Sequence, residues 1–200
     1  HAGDADELDW ILERLAARHP DVPRFAAGVS LGGNALLVWL GTRGSAAGRH
    51  LQAAAAICAP LDLAAMGHHL GRGVNRLYTR HFLATLKARA LAKLRQHPGL
   101  FDPAAVRRAR NLHAFDDLVT APLHGFRGSD DYWRRASSKP LLPAITVPTL
   151  VLNPRNDPFL PAGHLPGAAD VAPAICLEQP AQGGHVGLVS GPWPGQLDWL

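Results

Sequence analysis

Cysteine is scarce: the 200 residues contain two, Cys58 and Cys176. Two cannot make the disulfide framework of a small secreted domain. Both lie in apolar, strand-like runs, so buried free thiols are expected, in keeping with a reducing, cytoplasmic compartment. No apolar run approaches the roughly 18 residues that cross a bilayer as a helix. Charged residues are few at 18% against 47% hydrophobic, which excludes an intrinsically disordered chain. Metal motifs are missing as well. His68 and His69 are adjacent rather than four apart, there is no H-E-x-x-H, and the cysteines form no C-x-x-C. Gly71-Arg72-Gly73 lacks the G-K-[ST] and the preceding strand of a phosphate loop. The five tryptophans follow no regular spacing, so no stacking platform for nucleic acid is expected. No signal peptide opens the chain, and His1 stands where a complete protein has Met. The opening reads at once as a helix, so a fragment lacking its N-terminal part is expected.

Acidic residues are missing from one stretch in particular. Between Gly67 and Ala114 there are ten Lys and Arg, with Asp102 as the one acid. A solvated helical face is the plain reading. A surface making peripheral contact with anionic lipid is the sharper one.

What is present alternates. Leu8, Ile11, Leu12 and Leu15 fall at i, i+3, i+4 and i+7, predicting an amphipathic helix over 6–18, ended by His19-Pro20. A buried strand follows at 25–28, a Gly-rich turn at 28–33 and a helix at 34–40 stopped by Gly41. Residues 51–59 read as a second buried strand ended by Pro60. Helix, strand, helix, strand implies a parallel sheet covered by helices. The middle, 62–139, shows no clear strand but helical stretches at 75–96 and 103–111. Strands are expected again at 149–153 and 174–178, and a last incomplete helix at 196–200. The domain reading is a core of 1–61 with 140–200, interrupted by a helical insertion at 62–139.

The strongest chemical signal is Gly28-Val29-Ser30-Leu31-Gly32, a G-x-S-x-G. The serine must sit on a tight, strained turn between strand and helix so that its hydroxyl stands above the sheet. Glycines two before and two after allow the backbone to pack that closely. The helix that follows aims its positive end at the site, favouring a developing oxyanion. With Gly at 20 and Ser at 6 of 200 positions, a chance match is expected roughly 0.06 times in the chain. Strand before and helix after make the nucleophilic reading the better one. A serine needs a base, and the base an orienting carboxylate, in chain order Ser, acid, His. Asp157 follows the strand at 149–153, and His185, after Gly183-Gly184, follows the strand at 174–178. Asp157 alone reads equally as a turn-capping Asp before Pro, and His185 alone as a surface loop histidine. In register with Ser30 they read as a triad. Asp62, after the strand at 51–59, is the rival acid.

With these residues in hand the chain resembles the α/β-hydrolases, and more narrowly the AB-hydrolase-4 family of YheT-like and embryogenesis-associated esterases. The likeness rests on GVSLGGNALLVWLG at 28–41, APLHGFRGSDDYWRRASSKP at 121–140, VPTLVLNPRNDPFLP at 147–161 and GGHVGLVSG at 183–191. It extends over essentially the whole chain. The resemblance implies an α/β-hydrolase fold, a mostly parallel sheet flanked by helices with a helical cap insertion, here lacking the N-terminal strands. It implies a Ser30, Asp157, His185 triad, with the Leu31 backbone N–H as an oxyanion donor. It further implies hydrolysis of short- to medium-chain acyl esters, glycerolipids among them, through an acyl-enzyme and with no cofactor or metal. Another serine hydrolase (thioesterase, amidase or lipase) and a non-catalytic scaffold are the alternatives. Dehalogenases and epoxide hydrolases place Asp where Ser30 stands. In family members further strands and an H-G loop with the second oxyanion donor come first. Losing one donor costs ~10²–10³ in rate, and an uncovered strand edge invites aggregation, so poor activity is expected of these residues alone.

Overall fold

The computed structural model describes residues 1–188, 191 and 192. The helix expected at 196–200 lies outside the described residues. The chain divides into two compact units, Leu63–Arg135 together with His1, and Ala2–Asp62 with Ala136–Leu200.

The second unit is built on four parallel strands in the order β1-β2-β3-β4: β1 Phe25–Val29, β2 Ala53–Ile57, β3 Thr149–Leu152 and β4 Ile175–Glu178. Phe25 pairs with Ala53, Ala54 with Thr149, and Thr149 with Ile175. Because every strand runs the same way, every carboxyl end arrives at one edge, which is where open α/β sheets hold their ligands. Helix α1 spans Ala5–Arg18 and is capped by the Asp4 carboxylate, which accepts from the Glu7 N–H. Of its apolar stripe only Leu12 is fully buried; Ile11 and Leu15 are exposed. Two side-chain bonds hold it instead: Trp39 Nε1 donates to Asp9 at 3.0 Å, and Arg43 pairs with Asp9 at 2.8 Å.

Helix α2, Leu31–Arg43, is apolar nearly all round and sits in the core, with Leu37, Trp39 and Leu40 fully buried. It runs past Gly41, which the sequence reading took as its stop. Gly41 is a packing residue: a Cβ there would lie 2.7 Å from the Leu141 carbonyl oxygen. The helix ends instead at Gly44, whose positive φ of 51° is one that glycine adopts without a Cβ penalty. Beta strand β1 is an edge strand of the described sheet and leaves Phe25 and Val29 exposed. Cys58 is buried and free as expected. Cys176 is free but exposed, a correction, because alternation along β4 turns it away from buried Ile175.

The first unit is helical among its described residues. Helix α3 spans Leu63–Leu70 and α4 spans Arg76–Gln96. Shorter helices run Pro103–Arg108 and Leu112–Phe115, the latter continuing through a π-turn, Asp116–Thr120. Leu70, Leu83, Val106, Phe115 and Val119 are among its buried apolar residues. The Thr79 hydroxyl donates to the Leu70 carbonyl at 2.6 Å, tying α4 to the end of α3. No described helix is long and apolar enough to cross a membrane.

Candidate active site

Ser30 occupies the one-residue joint between β1 and α2, at φ 52° and ψ −126°. A side chain at positive φ is strained, by about 1–3 kcal/mol, and must be held there. Two backbone bonds hold it. The Ser30 N–H donates to the Ile57 carbonyl at 2.9 Å, extending the β1–β2 ladder, and the Asn34 N–H donates to the Ser30 carbonyl at 3.2 Å, starting the helix. The glycine that makes the elbow fit is Gly28: a Cβ on it would stand 2.5 Å from the Gly32 carbonyl oxygen and 2.8 Å from the Gly33 Cα. Gly33 is tight against Gly28 and Ala59 in turn, whereas a Cβ at Gly32 would meet nothing within 4 Å. The close packing expected of both glycines of the motif thus belongs to Gly28 and the following Gly33.

Asn34, the last residue of S-L-G-G-N, is fully buried and joins three segments of its unit. Its Nδ2 donates to the carbonyls of Ala2 at 2.8 Å and Ala136 at 2.7 Å, and its Oδ1 accepts from the Ser138 N–H at 3.0 Å. It anchors the start of α2, and so the elbow.

His185 stands in the loop after β4. Its Nε2 lies 3.0 Å from the Ser30 hydroxyl oxygen, and its Nδ1 lies 2.9 Å from Asp157 Oδ2. A carboxylate only accepts, so Nδ1 carries the proton and Nε2 is left to accept from the serine hydroxyl. The Asp157 side chain is 1% exposed and that of His185 16%: the acid is sealed in while the imidazole reaches the surface. Asp157 also caps its own turn, Oδ1 accepting from the Phe159 N–H at 2.8 Å. One carboxylate oxygen thus caps the turn and the other faces the imidazole. Phe159 closes over the imidazole, ring centroids 4.1 Å apart.

The acid and histidine loops are stitched together. The Arg155 N–H donates to the Pro180 carbonyl at 2.8 Å, the Gly184 N–H to Asn156 Oδ1 at 2.9 Å, and Asn156 Nδ2 to Gln182 Oε1 at 2.7 Å. Gly183 lies where a Cβ would strike Pro154 and Leu188, and Gly184 adopts φ 60°. The rival acid, Asp62, pairs with His164 at 3.2 Å instead. Leu31 is the first residue of α2, so its N–H is one of the amides that helix geometry leaves without an intrahelical acceptor.

Cys58 is the site residue that sequence reasoning passed over. It follows β2 at φ 51°, its N–H donates to the Leu152 carbonyl at 2.8 Å, and its sulfur accepts from the Val186 N–H at 3.2 Å. Burial pushes the thiol pKa above its ordinary value, with the nearby Asp157 charge adding to the rise against the Val186 hydrogen bond. No local motif marks it, since its partner is 128 residues away. Cys58, Asp157 and His185 offer ligand atoms all within 4.8 Å of one another. These atoms are already engaged, Asp157 with His185 and the neutral sulfur with Val186, so a metal would have to break those bonds to bind.

A strained serine at a strand-to-helix elbow, with Asp157 and His185 after later strands of a parallel sheet flanked by helices, is the arrangement of an α/β-hydrolase fold. Among solved structures the chain is similar to an alpha/beta fold family hydrolase from Bacillus anthracis str. Sterne, at a TM-score of 0.54 and 15% identity, over 90% of this chain and 67% of that one. Among curated proteins it is 34% identical to the Putative esterase YheT of Escherichia coli K12, over 100% of this chain and 59% of the relative. It is 32% identical to the Phospholipase ABHD3 of Mus musculus, over 98% of this chain and 48% of the relative. No family model matches the chain. It belongs to the AB-hydrolase-4 family. The chain spans about half the length of these curated relatives.

Proposed function

We propose that this site is the nucleophilic centre of a serine esterase acting on carboxylic esters of short- to medium-chain acyl groups, glycerolipids included. The observation that carries the reading is the hydrogen-bonded line from Asp157 through His185 to Ser30, at 2.9 and 3.0 Å. Two relatives named as an esterase and a phospholipase support the substrate class.

In this reading His185 Nε2 takes the Ser30 proton as Oγ attacks the ester carbonyl. Asp157 keeps the imidazole in the required tautomer and stabilises the imidazolium. The tetrahedral oxyanion forms beside the Leu31 N–H, at the positive end of α2. Collapse returns the proton from His185 to the leaving alcohol, which departs and leaves Ser30 acylated. Water, deprotonated by the same imidazole, then releases the acid and restores the serine. Positioning is ready-made: the strain at Ser30 is carried by the β1–β2 ladder, so nothing in the elbow needs to move when the substrate arrives.

The test is labelling with a fluorophosphonate probe, followed by peptide mapping. Ser30 takes the label, Ser30→Ala takes none, and a panel of acyl esters, thioesters and amides is turned over with esters first. Label on another residue, or preference for amides or thioesters, overturns the reading.

A further inference from the structure

The helical unit holds a feature that the triad does not use. A cavity of about 650 Å³ opens along α4, walled by Arg76, Leu77, Arg80, Leu83, Lys87 and Arg110 among others, with no carboxylate in its lining. Lys87 is tied by its ammonium to the Arg107 carbonyl at 2.9 Å. Asp102, the one acid between Gly67 and Ala114, pairs with Arg108 at 3.8 Å. Among the described residues no carboxylate pairs with Arg76, Arg80 or Arg110. These cations line one cavity together, and an anion in it would meet them all.

Two large aliphatic side chains at the start of this helix and in the turn before it are exposed. Val74 is 80% exposed and Leu77 71%, and α4 buries only Thr79, Leu83 and Ala90 of its 21 residues. A lone exposed aliphatic side chain needs no explanation. Two of them set among unpaired arginines form a recognisable combination. Arginine forks suit phosphate oxygens, and aliphatic side chains gain by entering the boundary between headgroups and acyl chains. Nucleic acid would satisfy the arginines but would give Val74 and Leu77 nothing to enter.

We propose that the N-terminal half of α4 and the turn before it dock on an anionic lipid surface. Val74 and Leu77 would enter the interface, and Arg76, Arg80 and Arg110 would hold lipid phosphate in the cavity. This is independent of the esterase reading, because docking needs no turnover.

Co-sedimentation of the full chain with phosphatidylcholine vesicles, with and without phosphatidylserine, tests it. Binding is expected to require phosphatidylserine and to weaken as salt is raised. At about fivefold per basic residue near such a surface, the combined Arg76→Gln, Arg80→Gln, Arg110→Gln variant should lose on the order of 100-fold in affinity. Val74→Ser with Leu77→Ser should weaken binding at unchanged charge, and Ser30→Ala should bind as the parent does, which separates this proposal from the esterase one. Should the triple variant lose its helical circular dichroism, the serine variant and the salt series on the parent decide. Equal binding to pure phosphatidylcholine, or unchanged binding by the arginine variant, overturns the proposal. So does complete displacement from vesicles by inorganic phosphate, which would mark a site for a free anion.

Discussion

Replacing Gly28 by alanine tests whether the elbow's backbone packing, rather than its sequence motif, sets the position of Ser30. The added Cβ would lie 2.5 Å from the Gly32 carbonyl oxygen, 2.7 Å from its carbon and 2.8 Å from the Gly33 Cα, all of them backbone. Backbone cannot swing aside as a flexible side chain can, so the joint must open by about 1 Å to reach ordinary contact at 3.4 Å. Overpacking of this kind costs about 1–3 kcal/mol, or a melting temperature lower by about 2–4 °C per kcal/mol for a chain of this size. The larger effect falls on chemistry. A shift of that size takes the 3.0 Å contact between Ser30 and His185 beyond hydrogen-bond reach, and misplacement by ~1 Å can cost on the order of 10²-fold in rate. Gly32→Ala is the control, because its Cβ meets nothing within 4 Å. Alanine is the better helix former by up to about 1 kcal/mol, so this variant should melt at the same temperature or higher. The assay is the rate of fluorophosphonate labelling alongside a thermal melt. If Gly28→Ala labels and melts as Gly32→Ala does, the account of the elbow is wrong.

Asp157→Asn should lower the labelling rate by on the order of 10⁴, through loss of the correct imidazole tautomer. Asp62→Asn, which touches a surface pair with His164, should leave it unchanged; equal losses in the two variants would remove Asp157 from its role. Asn34→Ala strands two buried carbonyls and one N–H at about 1–3 kcal/mol apiece, so it should fall well below the parent in a urea melt, and a loss under 1 kcal/mol would contradict that bonding. Asp116 and Asp117 should respond to pH in opposite senses. Burial raises the Asp116 pKa, so the stability linked to it is present in acid and lost as pH rises through the folded value; the melting advantage of Asp116→Asn over the parent grows from acid to neutral pH. The Ser129 N–H lowers the Asp117 pKa, so its stability is present at neutral pH and lost in acid; the deficit of Asp117→Asn shrinks as pH falls. Melting curves for the two variants that run parallel across pH would refute the assignment.

Much of the sheet is legible because its signals are local. The apolar runs at Phe25, Ala53, Thr149 and Ile175 each become a strand, since short buried parallel strands read as continuous apolar segments. Ser30, Asp157 and His185, far apart along the chain, come within hydrogen-bond distance because a parallel sheet delivers every strand's end to the same rim. The errors arise where a residue's role depends on a distant partner. Gly41 looks like a helix stop until Leu141 is found pressed against it. Cys176 looks buried until its face of β4 is known to be open. Cys58 has no motif, and its bond to Val186 exists only because β2 and the loop after β4 end close together.

The sequence by itself determined the periodicity of the elements, the parallel sense of the strands and the three residue types that serine chemistry requires, because these are read from local patterns; the strand order came from the structure. Only the tertiary structure decided which carboxylate faces His185, which glycine is pressed against backbone, and where α4 leaves its arginines unpaired. Such contacts are set by how the chain folds back on itself, Ser30 and His185 being 155 residues apart, and packing across such separations leaves no periodic trace along the chain.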